Sequence, residues 1–370
     1  MTRREKTDAA RTESKTLTRR SVLASGAVLG ATAVAGCLGG GGGGGGGGEN
    51  GYNAAIISSP AGFDDNAFND NALEGLEQAA EEFDLEVNSI EETQEAQYES
   101  VQADTAEAGY DLIVMVGDHH TGPLETNASE YPDQNWMLIN NVIDGADNVS
   151  GWIEMNNEMS FLAGVAAGTM TQEDYSEGGG ATNPDESVVG FVGGEDIPLI
   201  NAFEQSYIEG AEWVNENVEV LTGYSGTFSD TAPANNLAES QIDQGADIVW
   251  HAASAAGAGV FSAAQDNERY ALGVDVDQSV TEEQYQDVII GSAVKALNEA
   301  TYTVVEAVIN DNFSEFVGEN NLSIEQESID FITGQALGDS LPEVLSTNIE
   351  DAKQAIVDGD VELSCGPTRC

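Results

Sequence analysis

The chain has 370 residues, 41% of them hydrophobic, and it carries 11 Lys and Arg against 66 Asp and Glu, a formal charge of −55. From Cys37 onward only 4 residues are basic and 63 are acidic, so the body lacks the cationic patches that bind nucleic acid or an anionic membrane surface. The apolar content also excludes a disordered chain. Because concentrated salt screens the repulsion between surface carboxylates, we predict a protein from an extreme halophile.

The N-terminal segment has the pattern of an export signal. Arg19 and Arg20 precede an apolar stretch rich in small residues, which is shorter than the ~20 residues that a membrane span needs. Paired arginines are typical of the pathway that exports folded proteins. We predict a twin-arginine lipoprotein signal peptide over residues 1–36 and lipidation of Cys37, with an uncleaved signal anchor as the alternative. Residues 37–50, which include ten consecutive glycines, would tether the body to the outer face of the cytoplasmic membrane, at the cell surface.

Beyond the tether, short apolar runs of strand character alternate with stretches in which apolar residues recur at helical spacing. Strands are predicted, in chain order, over residues 54–58, 85–90, 112–116, 136–140, 151–155, 188–192, 218–223, 247–251, 270–274 and 288–291. Helices are predicted over residues 71–83, 98–108, 159–170, 198–214, 233–244, 257–267 and 294–309. This alternation indicates parallel sheets with helices on both faces. The length fits two such αβα sandwiches in tandem.

Ligands of open α/β sheets bind at the carboxyl ends of the strands. Two such sheets facing each other would form a cleft between them. The residues that follow predicted strands are the candidates for lining it: 63–69, 117–118, 193–194, 250–253 and 274–278.

Six short motifs, spread in order over residues 54 to about 310, resemble those of one protein family. They are Gly62–Asn69, Phe161–Ala167, Val189–Pro198, Tyr224–Asp230, Gly273–Gln278 and Ser292–Lys295. In these motifs the chain resembles the BMP (basic membrane protein) family of lipoproteins, the purine nucleoside receptor-like substrate-binding proteins of ABC transporters. Two places depart from the family pattern: residues 253–257 read Ala-Ser-Ala-Ala-Gly instead of Ala-Gly-Gly-Thr-Gly, and Ala67 stands in place of a serine.

The resemblance implies a type I periplasmic-binding-protein fold, in which two α/β lobes joined by a hinge close on a ligand. We assign residues 51–158 and about 275–312 to lobe 1, residues 159–274 and about 313–350 to lobe 2, and residues 351–370 to a C-terminal tail. The implied function is to bind a nucleoside, a purine nucleoside in this family, and to deliver it to an ABC permease and its ATPase. A sugar-binding transport protein of the same fold and a ligand sensor without a transport role are the alternatives.

The resemblance also implies roles for individual side chains. Phe68 would stack on the base, Asp118 would accept from base N–H groups, Asp275 would hold ribose hydroxyls, and Lys295 would donate to the ribose or the base. Trp250 would offer a second stacking face. The alternatives are a salt bridge in the core or hinge for Lys295 and packing inside a lobe for Phe68 and Trp250. The residues expected to contact the ligand are Asp65, Phe68, Asn69, Asp118, Trp250, Asp275 and Lys295.

Enzyme chemistry finds little support in the sequence. It contains neither a Gly-x-Ser-x-Gly elbow nor a His-Glu-x-x-His motif, and the adjacent His119 and His120 would point apart. Cys365 and Cys370 lie in the tail, where a disulfide is expected outside the cell and a metal site is the alternative. We expect no enzyme activity, no bound metal and no cofactor.

Overall fold

The structure, a computed structural model, describes residues 51–370. The predicted signal peptide, the lipidation site Cys37 and the glycine tether lie outside these residues. Within residues 51–370, no helix combines the length and the apolar character that crossing a bilayer requires.

Twelve strands and ten helices alternate along most of this part of the chain. The strands are β1 (Tyr52–Ile57), β2 (Leu85–Ile90), β3 (Leu112–Met115), β4 (Trp136–Ile139), β5 (Val149–Glu154), β6 (Val188–Gly193), β7 (Glu219–Tyr224), β8 (Ile248–Ala252), β9 (Tyr270–Asp275), β10 (Ile289–Lys295), β11 (Gly318–Leu322) and β12 (Ile329–Thr333). The helices are α1 (Phe68–Glu82), α2 (Tyr98–Ala108), α3 (Thr121–Glu130), α4 (Asn156–Met170), α5 (Pro198–Val214), α6 (Thr231–Asp243), α7 (Ala258–Asp266), α8 (Gln278–Thr281), α9 (Leu297–Ile309) and α10 (Glu343–Val357).

The strands form two six-stranded sheets, and each sheet is the centre of one lobe. The order in lobe 1 is β11-β5-β4-β3-β1-β2, and the order in lobe 2 is β12-β10-β9-β8-β6-β7. Every pairing is parallel except that of β10 with β12. Buried apolar side chains cover both faces of each sheet, because helices pack on both sides. The predicted α/β fold with two sandwich lobes is confirmed.

The chain passes between the lobes three times: between β5 and α4, between β10 and α9, and between β11 and β12. These crossovers correct the predicted lobe boundaries. Residues 275–295 belong to lobe 2, because β10 is paired with β9 inside the second sheet. Residues 318–322 belong to lobe 1, because β11 is paired with β5.

The C-terminal segment is tied to lobe 2. Helix α10 continues to Val357, so the irregular tail begins later than the predicted residue 351. Cys365 and Cys370 form a disulfide, as expected for the tail. The backbone N–H of Cys370 donates to the carbonyl of Pro198 (3.1 Å), and the side chain of Asn157 donates to the carbonyl of Cys365 (3.0 Å).

Candidate functional site

A cavity of about 620 Å³, including its open mouth, lies between the two lobes. Its walls are loops at the carboxyl ends of β1, β3 and β4 in lobe 1 and of β6, β7, β8, β9 and β10 in lobe 2. This is the edge at which open α/β sheets bind ligands.

One side of the cavity is apolar and largely aromatic. Phe68, in the first turn of α1, belongs to lobe 1. Phe203 in α5 and Phe228 in the loop after β7 belong to lobe 2, next to Ile197 and Ile200. Rings of this kind offer large contact areas and π-stacking to flat ligands. This side therefore suits an aromatic ring system.

Asp65 fixes the start of the helix that carries Phe68. Its carboxylate accepts hydrogen bonds from the backbone N–H groups of Ala67 (3.1 Å), Asn69 (3.0 Å) and Asp70 (3.2 Å). These donors at the beginning of α1 would otherwise have no partner within the helix. The Asp-x-x-Phe-Asn part of the motif thus has a structural cause, because the carboxylate anchors the turn that carries the ring.

The resemblance assigns Asp65 and Asn69 to the ligand-contacting wall, but the structure places both side chains behind that wall. The amide of Asn69 accepts from the backbone N–H of Ser59 (2.8 Å) and donates to its hydroxyl (2.9 Å), and Ser59 lines the cavity. Asp65 accepts from the hydroxyl of Ser254 in lobe 2 (2.6 Å). Both residues are buried and are engaged by protein groups, so they shape the cavity instead of lining it.

The other side of the cavity contains an ion cluster. Asp275 ends β9 and Lys295 ends β10, and the two lie together because these strands are neighbours. The Nζ atom of Lys295 is 3.1 Å from Asp275 Oδ1, 3.1 Å from Glu154 Oε2 and 3.2 Å from Asn156 Oδ1. The contacts with Asp275 and Glu154 are ion pairs, and the contact with Asn156 is a hydrogen bond. The same Nζ atom lies 4.7 Å from the centre of the Phe68 ring, a cation–π contact.

Burial controls the charges of this cluster. The side chain of Lys295 is 2% exposed and that of Glu154 is fully buried. Burial acts to lower the pKa of Lys295, but the carboxylates of Asp275 and Glu154 outweigh it and raise this pKa, so the amine stays charged. Burial raises the pKa of Asp275, and Lys295 opposes the rise. Burial also raises the pKa of Glu154 to about 7, with Lys295 opposing the rise and Asp275 adding to it.

Two carboxylates remain available to a ligand. Within residues 51–370, Asp275 Oδ2 accepts no hydrogen bond, and Asp275 lines the cavity. Asp118, which follows β3, also lines the cavity, and its side chain is 34% exposed. Carboxylates accept hydrogen bonds from hydroxyl and N–H groups and repel anions. The polar side therefore suits an uncharged ligand that is rich in donors.

Trp250, expected as a second stacking face, does not line the cavity. Because side chains of a strand alternate between the two covered faces of the sheet, its indole points into the core of lobe 2 and is fully buried. It stacks on Tyr207 (ring centroids 5.2 Å apart) and on Phe203 (6.2 Å), and its Nε1 donates to the carbonyl of Gly273 (3.0 Å). Phe203 contacts Trp250 on one side and lines the cavity on the other.

Four of the seven predicted residues line the cavity, namely Phe68, Asp118, Asp275 and Lys295. Several other residues at or beside the cavity were not predicted from the sequence. Phe203 and Phe228 lie in or next to family-like motifs, and their aromatic character was a usable signal. Glu154 gave only a weak signal, an acid at the end of an apolar strand. The missed residues are Asn140, Glu154, Asn156, Phe203, Phe228 and Ser254.

Within residues 51–370, no group of three or more His, Cys, Asp or Glu side chains is arranged to hold a metal ion. His119 lies 3.4 Å from Glu95 Oε1 and 3.9 Å from Asp118 Oδ1. His120 is buried, its Nε2 lies 2.9 Å from the carbonyl oxygen of Ser58, and burial lowers its pKa to about 4. The two adjacent rings therefore have separate surroundings.

Two α/β lobes joined by three crossovers, with a cavity between them, define the class of two-lobed solute-binding proteins. A family model described as ABC transporter substrate-binding protein PnrA-like (Bmp) matches residues 53–359. The chain belongs to this family and is a substrate-binding transport protein, not an enzyme. The resemblance inferred from the six motifs is confirmed.

Relatives and solved structures agree with this assignment. The chain is 30% identical to an uncharacterized lipoprotein of Pyrococcus abyssi, over 75% of this chain and 68% of the relative. It is also 30% identical to the ABC transporter nucleoside-binding protein BmpA of Lactococcus lactis, over 61% of this chain and 64% of the relative. An ABC transporter solute-binding protein of Aeropyrum pernix has a similar structure, with a TM-score of 0.73 and 25% identity over 84% of this chain and 92% of that one.

Proposed function

We propose that this protein binds an uncharged nucleoside, and preferentially a purine nucleoside, between its lobes and delivers it to the permease and ATPase of an ABC importer. The observation that carries the proposal is that one cavity has an aromatic side and a carboxylate side. Phe68 and Phe203 would enclose the base. Asp118 would accept from base N–H groups, and Asp275 Oδ2 would accept from the ribose hydroxyls. The name of the Lactococcus lactis relative, a nucleoside-binding protein, supports the same ligand class.

Lys295 acts on the ligand through Asp275 in this proposal. The resemblance implies that Lys295 donates to the ribose or the base, but three protein acceptors already engage its ammonium. The ammonium would keep Asp275 ionised and would fix the direction of its free oxygen. A ligand acceptor could bind Lys295 only by replacing one of the three, and neutral Asn156 is the least costly to give up.

The charge of the site selects against phosphorylated ligands. Within residues 51–370, Lys295 carries the only ammonium at the cavity, and it is already engaged by the carboxylates of Glu154 and Asp275. Asp118 adds a further carboxylate to the cavity wall. A nucleoside monophosphate would bring about two more negative charges at neutral pH. We expect the nucleoside to bind and its monophosphate to be repelled.

A thermal-shift screen of the mature protein in multi-molar KCl tests the proposal. The panel contains guanosine, inosine, adenosine, uridine, guanosine monophosphate, free guanine and several monosaccharides. A ligand at 100 times its dissociation constant stabilises the protein by ~2.7 kcal/mol, which gives a clear shift. A shift with purine nucleosides and none with the monophosphate supports the proposal. A shift with monosaccharides alone would indicate that the ligand is a sugar and not a nucleoside. No shift with any of these compounds would contradict the proposal of a nucleoside ligand.

We also propose that the twin-arginine pathway exports the protein and that lipidated Cys37 anchors it to the outer face of the cytoplasmic membrane. The lipobox-like residues 34–37 support this, as does the lipoprotein name of the Pyrococcus abyssi relative. Mass spectrometry of the native protein provides the test. An acylated Cys37 at the N-terminus supports the anchor, and an intact N-terminus at Met1 contradicts it.

A further inference from the structure

The ion cluster around Lys295 lies on the hinge as well as beside the cavity. Glu154 is the last residue of β5, and Asn156 is the first residue of α4, so both lie on the first crossover between the lobes. Lys295 is the last residue of β10 and directly precedes the crossover to α9. The contacts of its ammonium with Glu154 (3.1 Å) and Asn156 (3.2 Å) therefore connect two of the three crossovers.

The charges of the cluster do not balance when all its groups are ionised. One ammonium then faces the carboxylates of Glu154 and Asp275, which leaves one buried negative charge without a partner. Asp275 is at the cavity surface, where a ligand can donate to it. Glu154 is fully buried, and Lys295, which it contacts at 3.1 Å, is shared with Asp275. An unpaired buried charge is costly, so Glu154 is the group that a proton would neutralise.

The surroundings of Glu154 contain few other charges. Lys295 from β10 and Asp275 from β9 are the charged groups that act on its carboxyl. Asn140 after β4 and Asn156 in α4 are neutral amides in the same network, joined by a hydrogen bond of 3.0 Å. The residue paired with Glu154 on β11 is the apolar Leu322. Burial raises the pKa of Glu154 to about 7, so the proton can be exchanged near neutral pH.

We propose that Glu154 is a positioning residue of the ligand site, and that closure of the lobes on a ligand takes up one proton at its carboxylate. While the lobes are apart, water reaches the crossovers and stabilises the ionised carboxylate. Closure removes this water, and the proton cancels the excess negative charge. Lys295 then pairs with Asp275, which presents its free oxygen to the ligand. The proposal rests on the proposed function only in requiring an uncharged ligand that closes the lobes.

Calorimetry counts this proton directly. Binding of guanosine is measured in multi-molar KCl at pH 7.5, in two buffers that differ in ionisation enthalpy. The wild-type protein should take up a proton, at most about one per guanosine, and its affinity should fall as pH rises from 6 to 8, by up to about tenfold per pH unit. The isosteric Glu154→Gln variant should bind with no proton uptake and with a flat pH profile. Wild-type binding without proton uptake, or a variant that keeps the uptake, overturns the proposal.

Glu158→Gln is the matched control. Glu158 lies in the first turn of α4, and burial also raises its pKa. Its carboxylate accepts from the backbone N–H of Ile324 (2.8 Å) and is not part of the Lys295 cluster. This variant should keep the wild-type proton count. Loss of the uptake in Glu158→Gln as well would remove the assignment to Glu154.

A second measurement separates this proposal from the ligand class. If guanosine gives no heat with any of the proteins, the nucleoside proposal fails, and the proton count is repeated with the uncharged compound of the thermal-shift panel that stabilises the protein most. Wild-type binding of that compound with proton uptake, and binding by the Glu154→Gln variant without it, supports the role of Glu154 for a different ligand. Wild-type binding of that compound without proton uptake overturns the proposal.

Discussion

Asp275 adopts a backbone conformation that most residues avoid. Its φ is +70°, in the left-handed region that Asp and Asn tolerate better than other non-glycine residues. Its carbonyl accepts from the amide of Asn71 in lobe 1 (3.3 Å), and its carboxylate contacts Lys295 (3.1 Å). Such conformations persist where the surroundings enforce them, often at ligand sites. The position is therefore suited to aiming a carboxylate at a ligand.

Asp275→Asn should weaken guanosine binding by about 1–3 kcal/mol, because the amide is a poorer acceptor and no longer matches the ammonium of Lys295. Asparagine tolerates the left-handed backbone, so the fold should persist. Equilibrium binding measured by calorimetry, with melting temperature as a check on folding, gives the result. Asp277→Asn makes the same change of charge two residues away, where the side chain only caps α8 by accepting from Ser279. The control should bind like the wild type; equal losses in the two variants would remove Asp275 from the site.

Among the helices, α4 and α5 pack closely in lobe 2 because glycines let their backbones meet. A Cβ on Gly164 would collide with the carbonyl oxygen of Tyr207, and a Cβ on Gly210 would collide with that of Phe161. One packing requirement thus explains two glycines: Gly164, in the family-like Phe-Leu-Ala-Gly segment, and Gly210 in α5. Because α4 follows the first crossover and the start of α5 lines the cavity, this contact fixes the lobe 2 wall relative to the hinge.

Gly164→Ala should lower the free energy of unfolding by about 1–3 kcal/mol, since the helices must separate to admit one methyl group. Gly122→Ala is the matched control, because Gly122 also lies in a helix but nothing is within 4 Å of an added Cβ. That change should stabilise the protein by about 0.5–1 kcal/mol through helix propensity. Denaturant unfolding of both variants in the same salt measures the two effects. Changes of the same sign would contradict the packing argument.

Elements with strong apolar patterns were predicted with nearly correct bounds. The strand predicted over residues 270–274, for example, is observed as Tyr270–Asp275. The helix predicted from residue 294 begins only at Leu297, because Val294 and Lys295 complete β10. Strand β11 was not predicted, since its sequence Gly-Glu-Asn-Asn-Leu is polar and its place depends on pairing with β5. Helix α3 was missed because few of its residues are apolar.

The candidate site was predictable where local sequence determines it. The motif around Phe68 is one example, because one aspartate close in sequence fixes the turn. Glu154 could not be singled out, since in a chain with 66 acidic residues an acid at a strand end is ordinarily solvated. Its burial depends on two crossovers that are far apart in sequence but adjacent in the folded protein. The side chain of Trp250 was also predicted on the wrong side of its strand. Both faces of β8 are buried, so the sequence does not show which face is directed at the cavity.

The whole molecule combines an ordinary apolar core with an extreme surface charge. The formal charge of −55 is spread over a chain whose sheets are covered by apolar clusters on both faces. Repulsion among these carboxylates opposes the compact state, and salt reduces it over a Debye length of about 3 Å at 1 M. Stability should therefore depend on salt more steeply than in a neutral protein.

Lowering KCl from about 3 M to about 0.2 M should lower the melting temperature markedly. Most of the loss should occur below about 1 M, where the Debye length grows beyond about 3 Å and screening weakens. Differential scanning fluorimetry over a salt series measures this dependence. A parallel series at constant low salt with added sucrose controls for general exclusion of solutes from the protein surface. A melting temperature that does not change with KCl would contradict the prediction of adaptation to high salt.

The order in which the strands enter the two sheets has a consequence for the synthesis of the protein. Residues 318–322 supply the edge strand of lobe 1, and residues 329–333 supply the edge strand of lobe 2. A ribosome must therefore translate nearly nine-tenths of the message before either sheet can be completed. If the chain were exported unfolded, through a narrow membrane channel during its synthesis, neither lobe could complete its sheet before most of the chain had crossed. An export pathway that transports folded proteins would let both lobes complete their sheets before export.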